Sequence, residues 1–271
     1  MKAVVAFARR CVGNSRQRIG PLTLGRQWTV PFPQEQLLQP GDIIMHRYIK
    51  LITVTFMLAT CLSSQAATFT VTSPADSGEG SLRWAIEQAN ASLGSDTIVF
   101  ALPGAGPYVI QPTSPLPTVA DPVVIDGTTQ PGFAGTPIIR LDGQSAGESA
   151  NGVVVTCGGN TVRGLAITRF HLSGIRLEGT TTDQVGNNRI LGNYIGVEPD
   201  GVTAAGNGVN TLPSYPDPAG ILVFHSDGNT IGSGTEANRN VISGNKWGIN
   251  IQESSLNTVA GNYVGTDASG A

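Results

Sequence analysis

The sequence is poor in cysteine, in aromatic residues and in charge. Its 271 residues include 3 cysteines, 6% aromatic residues and 13% charged residues. Cys11 and Cys61 both fall within the first 66 residues, so Cys157 is alone in the remainder. A lone cysteine excludes an intrachain disulfide framework there and is predicted to act as a small buried hydrophobe.

Positive charge is scarce after residue 66. Residues 1–66 hold 8 Lys and Arg against 2 Asp and Glu, whereas residues 67–271 hold 8 against 17. The two parts therefore carry +6 and −9, and Lys246 is the single lysine of the second part. An acidic chain without a basic stripe is not expected to bind nucleic acid.

The charge asymmetry predicts a targeting segment. A basic head (45–50) precedes an uncharged apolar run (51–62), and Ser64-Gln65-Ala66 is a small-x-small sequence before Ala67. This pattern is typical of a secretory signal, predicted at 45–66 with cleavage between Ala66 and Ala67. The apolar run is too short to span a bilayer, so no transmembrane segment is predicted. Residues 1–44 are interpreted as upstream translation or a disordered extension, with an unusual N-terminal domain as the alternative, and the mature protein is expected to be secreted or at the cell surface.

Internal repeats dominate residues 151–271. Asn188–Gly196 returns as Asn257–Gly265, at an offset of 69 residues. Short β-branched runs of the form Gly-Ile-x-Ile lie between these copies, bounded by Gly and Asn residues that tolerate sharp corners. Repetition of short strands predicts a parallel β-solenoid, with three coils of about 23 residues in each 69-residue period.

Alternation within the runs assigns their faces. The residues predicted to point inward are Ile175, Leu177, Ile249 and Ile251. The residues predicted to point outward are Arg176 and Asn250. Three asparagines are predicted to share one corner and to hydrogen-bond along the stack, namely Asn193, Asn245 and Asn262.

One helix is predicted, over about residues 81–91. Ser81 is a suitable N-cap, and the apolar positions follow the i, i+3, i+4, i+7 spacing of an amphipathic helix. These positions are Leu82, Ala85, Ile86 and Ala89. Residues 67–150 are therefore expected to form an N-terminal cap with the first coils, the helix covering the open apolar end.

The segment Gly80-Ser81-Leu82-Arg83-Trp84-Ala85-Ile86 resembles the C-S-L-R-E-A-I signature of large exported bacterial β-helix proteins, with Gly80 and Trp84 replacing the signature Cys and Glu. Later segments, including 123–127 and 139–143, are also similar to that family. The resemblance implies an all-β fold, a right-handed parallel β-helix of the pectate-lyase-like shape with an N-terminal amphipathic capping helix. It implies no defined activity, and suggests adhesin-like or carbohydrate-related roles.

Catalytic residues are not predicted. A polysaccharide lyase needs a positioned base and usually Ca²⁺, and a glycosidase needs acids about 5–9.5 Å apart. The aspartates beside turn residues are interpreted as turn caps, namely Asp183, Asp200, Asp217, Asp227 and Asp267. His171 and His225 follow phenylalanines in similar contexts, and would form a small polar patch if they stacked. No metal site and no cofactor are predicted, with Ca²⁺ left open.

A proline-rich segment, residues 210–219, interrupts the repeats and is expected to leave the coils as a loop. Tyr215 and Asp217 are its candidates for glycan contact, and a solvated loop without a ligand is the alternative. The primary hypothesis is a non-catalytic, adhesin-like or carbohydrate-binding scaffold whose partners are glycans or a neighbouring cell surface. The alternative is a polysaccharide-degrading enzyme, and further β-helix coils are expected after Ala271.

Overall fold

The computed structural model describes residues 66–182, 185–209 and 216–271. The predicted extension (1–44) and nearly all of the predicted signal (45–66) lie outside these residues. So do Asp183 and the loop candidate Tyr215. The longest helix in the described part of the chain has 10 residues, too few to cross a membrane.

Strands in the described residues form three parallel sheets. Sheet A contains β1 (Thr68–Val71), β2 (Asp96–Phe100), β4 (Val123–Asp126), β7 (Thr161–Arg163), β11 (Arg189–Leu191), β15 (Thr230–Ile231) and β18 (Thr258–Val259). Sheet B contains β3 (Tyr108–Ile110), β5 (Ile139–Asp142), β8 (Leu165–Thr168), β12 (Tyr194–Ile195), β16 (Val241–Ile242) and β19 (Tyr263–Val264). Sheet C contains β6 (Val153–Val155), β9 (Ile175–Glu178), β13 (Ile221–Phe224) and β17 (Ile249–Gln252), and a separate pair joins β10 (Val185–Gly186) to β14 (Ser226–Asp227).

From β4 onward the chain visits sheets A, B and C in turn, and each complete circuit adds one strand to each sheet. Parallel pairing places equivalent residues of successive circuits side by side, as with Ile175, Ile221 and Ile249. Apolar side chains from all three sheets share one core, and the predicted inward residues Ile175 and Leu177 are fully buried in it. Ile249 packs against this core. Ile251 lies in register with the buried Val223 and Leu177 on the inward face, as predicted, but it is 40% exposed because β17 is the outer strand of sheet C.

Helical segments stand between the parallel strands. α1 (Leu82–Ala91) lies between β1 and β2, and 3-10 turns occupy Gly127–Thr129, Gly143–Ser145 and Glu236–Asn238. The fold-class prediction, an all-β right-handed parallel β-helix with an N-terminal amphipathic capping helix, is corrected, because helical segments also lie between the parallel strands beyond that helix and the described chain is not all-β. The predicted helix itself is confirmed, with Ser81 Oγ accepting from Trp84 N and Leu82, Ala85, Ile86 and Ala89 buried.

The predicted coil of about 23 residues is also wrong. Asparagines stacked beside sheet A are separated by 28, 41 and 28 residues, and those beside sheet B by 47 and 22. The 69-residue offset consequently spans two circuits, of 41 and 28 residues, because some corners carry insertions.

Buried and half-buried asparagines connect the circuits in ladders. Beside sheet A the ladder runs through Asn160, Asn188, Asn229 and Asn257. Beside sheet B a second ladder runs through Asn193, Asn240 and Asn262. Asn245 belongs to a third ladder with Asn207, so the prediction of one corner for Asn193, Asn245 and Asn262 is correct only for the first and last. In each ladder an asparagine Oδ1 accepts a hydrogen bond from the backbone N–H of the asparagine one circuit earlier, at a corner where no strand partner is available.

Candidate active site at the sheet B corner

The candidate site is built where β5 and β8 end. Their parallel register places Asp142 opposite Thr168. Asp142 then caps the 3-10 turn, accepting from Gln144 N at 3.1 Å, and Arg169 and Phe170 follow β8 directly. Gly143 allows this close approach, because a Cβ at that position would lie 2.3 Å from Phe170 Cγ.

Arg169 is held rigidly by Asp142. Its backbone has a φ of 60°, a left-handed conformation that a non-glycine residue adopts only when its surroundings enforce it. Arg169 Nε donates to Asp142 Oδ1 at 2.9 Å, and Nη2 donates to Oδ2. A paired fork of this kind fixes the orientation of the guanidinium plane.

Asp142 is a buried anion shared by two arginines. Its side chain is 2% exposed, and Arg140 Nη2 donates to Oδ2 at 3.2 Å. Burial raises the pKa of Asp142. Hydrogen bonds from Arg169 and Gln144 N, together with the charges of Arg169 and Arg140, lower this pKa by more than burial raises it, so it lies below the usual range. Asp142 is thus ionised at neutral pH and cannot serve as a proton donor there.

Glu198 completes an alternating row of charges. It lies on a short hairpin closed by the antiparallel bridge between Val197 and Ala204, and its Oε2 accepts from Arg140 Nη1 at 2.6 Å. The row has two arginines and two carboxylates, so its formal charge is zero. Hydrogen bonding to Asp142 raises the pKa of Arg169, and Arg169 stays cationic.

A cavity of about 330 Å³ opens beside this row. Its lining residues are Gln144, Arg169, Phe170, His171, Gly206 and Val209. The volume is in the range of small-molecule sites. The cavity thus combines a fixed guanidinium, an imidazole, a side-chain amide and an apolar wall. Such a set can bind a small carboxylate and move a proton on it.

A second cavity, of about 570 Å³, surrounds His225. His225 Nε2 lies 3.3 Å from Glu253 Oε2, and both residues have left-handed backbones, with φ of 50° and 49°. Thr181, Ser254 and Ser255 complete its lining, which contains no lysine or arginine. A third cavity, of about 600 Å³, is lined mainly by glycine and proline, with Tyr108 and Asp200 as its polar groups.

His171 and His225 line different cavities, so the polar patch that their stacking would form is not present. The turn-cap interpretation is confirmed for Asp200, which accepts from Val202 N and Thr203 N, and for Asp267, which accepts from Ser269 N. The glycan candidate Asp217 pairs with Lys246 Nζ at 3.2 Å and lines none of the three cavities described above. No group of three or more metal-ligating His, Cys, Asp or Glu occurs in the described ranges, and cofactor use stays a prediction.

Sequence reasoning missed the charged row. Arg140 and Asp142 lie in residues 139–143, which the sequence linked only to the family resemblance, and Arg169 and Glu198 were assigned no role. Arg169 lies 27 residues from Asp142, and Glu198 lies 58 residues from Arg140. The available signal was that Arg140 and Asp142 lie in one short apolar run and Arg169 directly follows another, but the circuit lengths needed to align the two runs were unknown.

No protein-family model matches the chain. The resemblance to exported β-helix proteins therefore stays a prediction. The chain is 32% identical over 179 residues to the 3-dehydroshikimate dehydratase of Acinetobacter baylyi. This similarity covers 57% of the chain and 37% of the relative, so the chain spans little more than a third of the relative's length.

The similarity corrects the functional predictions. The relative is an enzyme, which overturns the expectation of a non-catalytic, adhesin-like scaffold and the inclination against an enzyme. A dehydratase also gives no support to the alternative of a polysaccharide-degrading glycosidase or lyase. Nothing in the comparison supports the predicted signal, and the predicted secreted or cell-surface location stays a prediction. The chain is thus similar over more than half its length to a protein named as a dehydratase.

Proposed function

We propose that the Arg169–His171 cavity is a dehydratase site that removes water from a small hydroxylated keto acid of the 3-dehydroshikimate type. One observation carries the proposal. A guanidinium fixed by a buried carboxylate and an imidazole two residues later line the same cavity of about 330 Å³. The name of the relative supplies the reaction class.

Arg169 binds the carboxylate of the substrate. Its Nε and Nη2 are engaged by Asp142, and Nη1 donates to no described residue. Asp142 acts as a positioning residue, because it holds the guanidinium in one orientation without touching the ligand. A charge-assisted hydrogen bond from a fixed donor gives both affinity and orientation.

His171 moves the proton. A carbon next to a carbonyl is acidic enough for an imidazole to remove its proton, and the adjacent C–O bond then breaks. The proton taken by His171 passes to the departing hydroxyl, which leaves as water while a C=C bond forms. Atoms and electrons balance with the loss of one water, and no oxidant is needed. Gln144 is placed to donate an amide hydrogen bond to the carbonyl oxygen.

The test is turnover of 3-dehydroshikimate by the full chain, followed through the absorbance of the dihydroxybenzoate that dehydration yields. His171→Asn is expected to lower kcat by about 10²–10⁴-fold, the usual contribution of a general base. Arg169→Gln is expected mainly to raise KM. His225→Asn and Arg176→Gln are the matched controls, since both side chains lie away from this cavity and pair with carboxylates elsewhere. Absence of product at substrate-level enzyme concentrations would overturn the proposal, as would a fully active His171→Asn variant.

A further inference from the structure

Asp96 is a buried carboxylate with an incomplete set of partners. It begins β2 and is 1% exposed. Its Oδ1 accepts from Ala67 N at 2.7 Å and from Ser92 Oγ at 3.4 Å. Its Oδ2 is buried and accepts a hydrogen bond from no described residue. A buried carboxylate is costly unless it is paired and fully hydrogen-bonded, so this oxygen needs an explanation.

Ala67 is fixed beside this carboxylate. It directly precedes β1, whose Thr68 pairs in register with Thr97 of β2, and Ala67 O accepts from Thr97 N at 2.9 Å. The residue before it, Ala66, is exposed. The Ala66–Ala67 bond therefore joins an accessible residue to one anchored on sheet A, and it is also the bond at which the sequence predicts cleavage.

We propose that hydrolysis of the Ala66–Ala67 bond creates a new N-terminus whose α-ammonium forms a buried ion pair with Asp96. Water adds across the amide, leaving a carboxylate on Ala66 and an ammonium on Ala67, so the step needs no other reactant. The nitrogen already lies 2.7 Å from Oδ1 as an amide with one hydrogen. As an ammonium it has three hydrogens, one of which can reach Oδ2.

The ion pair between the new N-terminus and Asp96 would stabilise the attachment of β1 to sheet A. β1 is the outer strand of sheet A, and its partner β2 also contacts the capping helix α1. Among the described residues no lysine, arginine or histidine forms an ion pair with Asp96. A charge supplied by the new N-terminus would be its counter-ion, and α-amino groups are mostly protonated at pH 7.

The experiment compares the same chain before and after cleavage. A specific protease sequence is placed immediately before Ala67 in the full chain, and the folded protein is cut so that Ala67 becomes its first residue. Cleavage is expected to raise the Tm of the Asp96 protein by roughly 2–4 °C, the shift for about 1 kcal/mol in a domain of this size. In Asp96→Asn the rise should be absent, because the amide cannot pair with the ammonium. Equal Tm changes in both proteins would overturn the proposal.

Amine reactivity gives a second readout that needs no variant. At pH 7 an acylating reagent should modify the α-amine of the folded, cleaved chain at least tenfold more slowly than that of an Ala-Thr-Phe peptide. Modification at the peptide's rate would mean that the ammonium is free in solution and would overturn the ion pair.

Discussion

Asp142 shows how one buried side chain organises the candidate site. Its two oxygens orient Arg169 and contact Arg140, and its position at the end of β5 comes from the parallel register with β8. Because the pKa of Asp142 is lowered in the folded protein, the carboxylate contributes stability above the unfolded-state pKa. This contribution is lost as the pH falls through the folded-state pKa.

The first prediction follows from the lowered pKa of Asp142. Asp142→Asn should lower the free energy of unfolding at pH 7 by about 1.5–3 kcal/mol, the range for hydrogen bonds to charged groups. The stability of the variant should also fall less steeply than that of the wild type below about pH 4. Urea denaturation between pH 2 and pH 7 measures both effects. Glu148→Gln, at an exposed position nearby, is the control, and parallel pH profiles for the wild type and Asp142→Asn would contradict the assignment.

Gly143 is predicted to be irreplaceable for a steric reason. A methyl group there would lie 2.3 Å from Phe170 Cγ and 2.6 Å from Phe170 Cα, so the corner that carries Arg169 and His171 must move. Gly143→Ala should cost about 1–3 kcal/mol, as overpacking does, and should also lower turnover. At Gly234 a Cβ would meet nothing within 4 Å, and Gly234→Ala should leave both unchanged. Thermal melts measure the effect on stability and initial rates the effect on turnover. Equal melting temperatures for the two variants would refute this steric role.

At the scale of elements, local sequence patterns predicted the features that depend only on neighbouring residues, namely the helix, its cap and the faces of the strands. The apolar spacing of α1 and its Ser81 cap needed no knowledge of the rest of the chain, and both are confirmed. Alternation also assigned Ile175 and Leu177 correctly. Ile251 shares the inward face of Val223 but is partly exposed, because it lies on β17, the outer strand of sheet C.

The lengths of the circuits and the residues that meet in the candidate site depend on the insertions at the corners. Local sequence patterns do not specify these insertions. The hairpin around Glu198 and the segment before β13 lengthen some circuits and leave others short. Arg140, Asp142 and Arg169 meet only in one register, and a slip of one residue would turn them to opposite faces. The reaction class was inferred from the similarity to a dehydratase, because the three charged residues alone do not specify a reaction.

The asparagine ladders give an element-scale prediction. Asn229 is fully buried, its Oδ1 accepts from Asn188 N at 3.0 Å, and its Nδ2 donates to Ser226 O at 2.9 Å. Asn229→Ala leaves the buried Asn188 N–H unpaired, at a cost of about 1–3 kcal/mol, whereas Ser226 O keeps a hydrogen bond from Asn257 Nδ2 at 3.1 Å. Asn257, the outer member of the same ladder, is half-buried, and Asn257→Ala should cost less. Urea denaturation of the two variants checks the order, and a larger loss for Asn257→Ala would contradict the ladder account.

At the scale of the whole molecule, the outer strands β17, β18 and β19 form one apolar face. Each is paired on one side only, and Ile251, Val259 and Val264 are 40%, 44% and 49% exposed. Unpaired strand edges with apolar side chains promote association between chains.

Self-association through this face is therefore expected. Sedimentation velocity should show an average mass that rises with concentration, and Val259→Lys with Val264→Lys should suppress the rise, because lysines at an edge oppose pairing. Val202→Lys, at a 67% exposed position on the hairpin, is the control and should not change the association. A wild-type chain that stays monomeric at high concentration would show that this face does not drive association.

The location of a bound product tests the central claim most directly. A crystal structure of the chain with dihydroxybenzoate is expected to show its carboxylate bonded to Arg169 and its ring hydroxyls near His171 and Gln144, within the cavity of about 330 Å³. Binding instead in the cavity of His225 and Glu253 would contradict the account, as would a cavity without ligand at concentrations that saturate binding in solution.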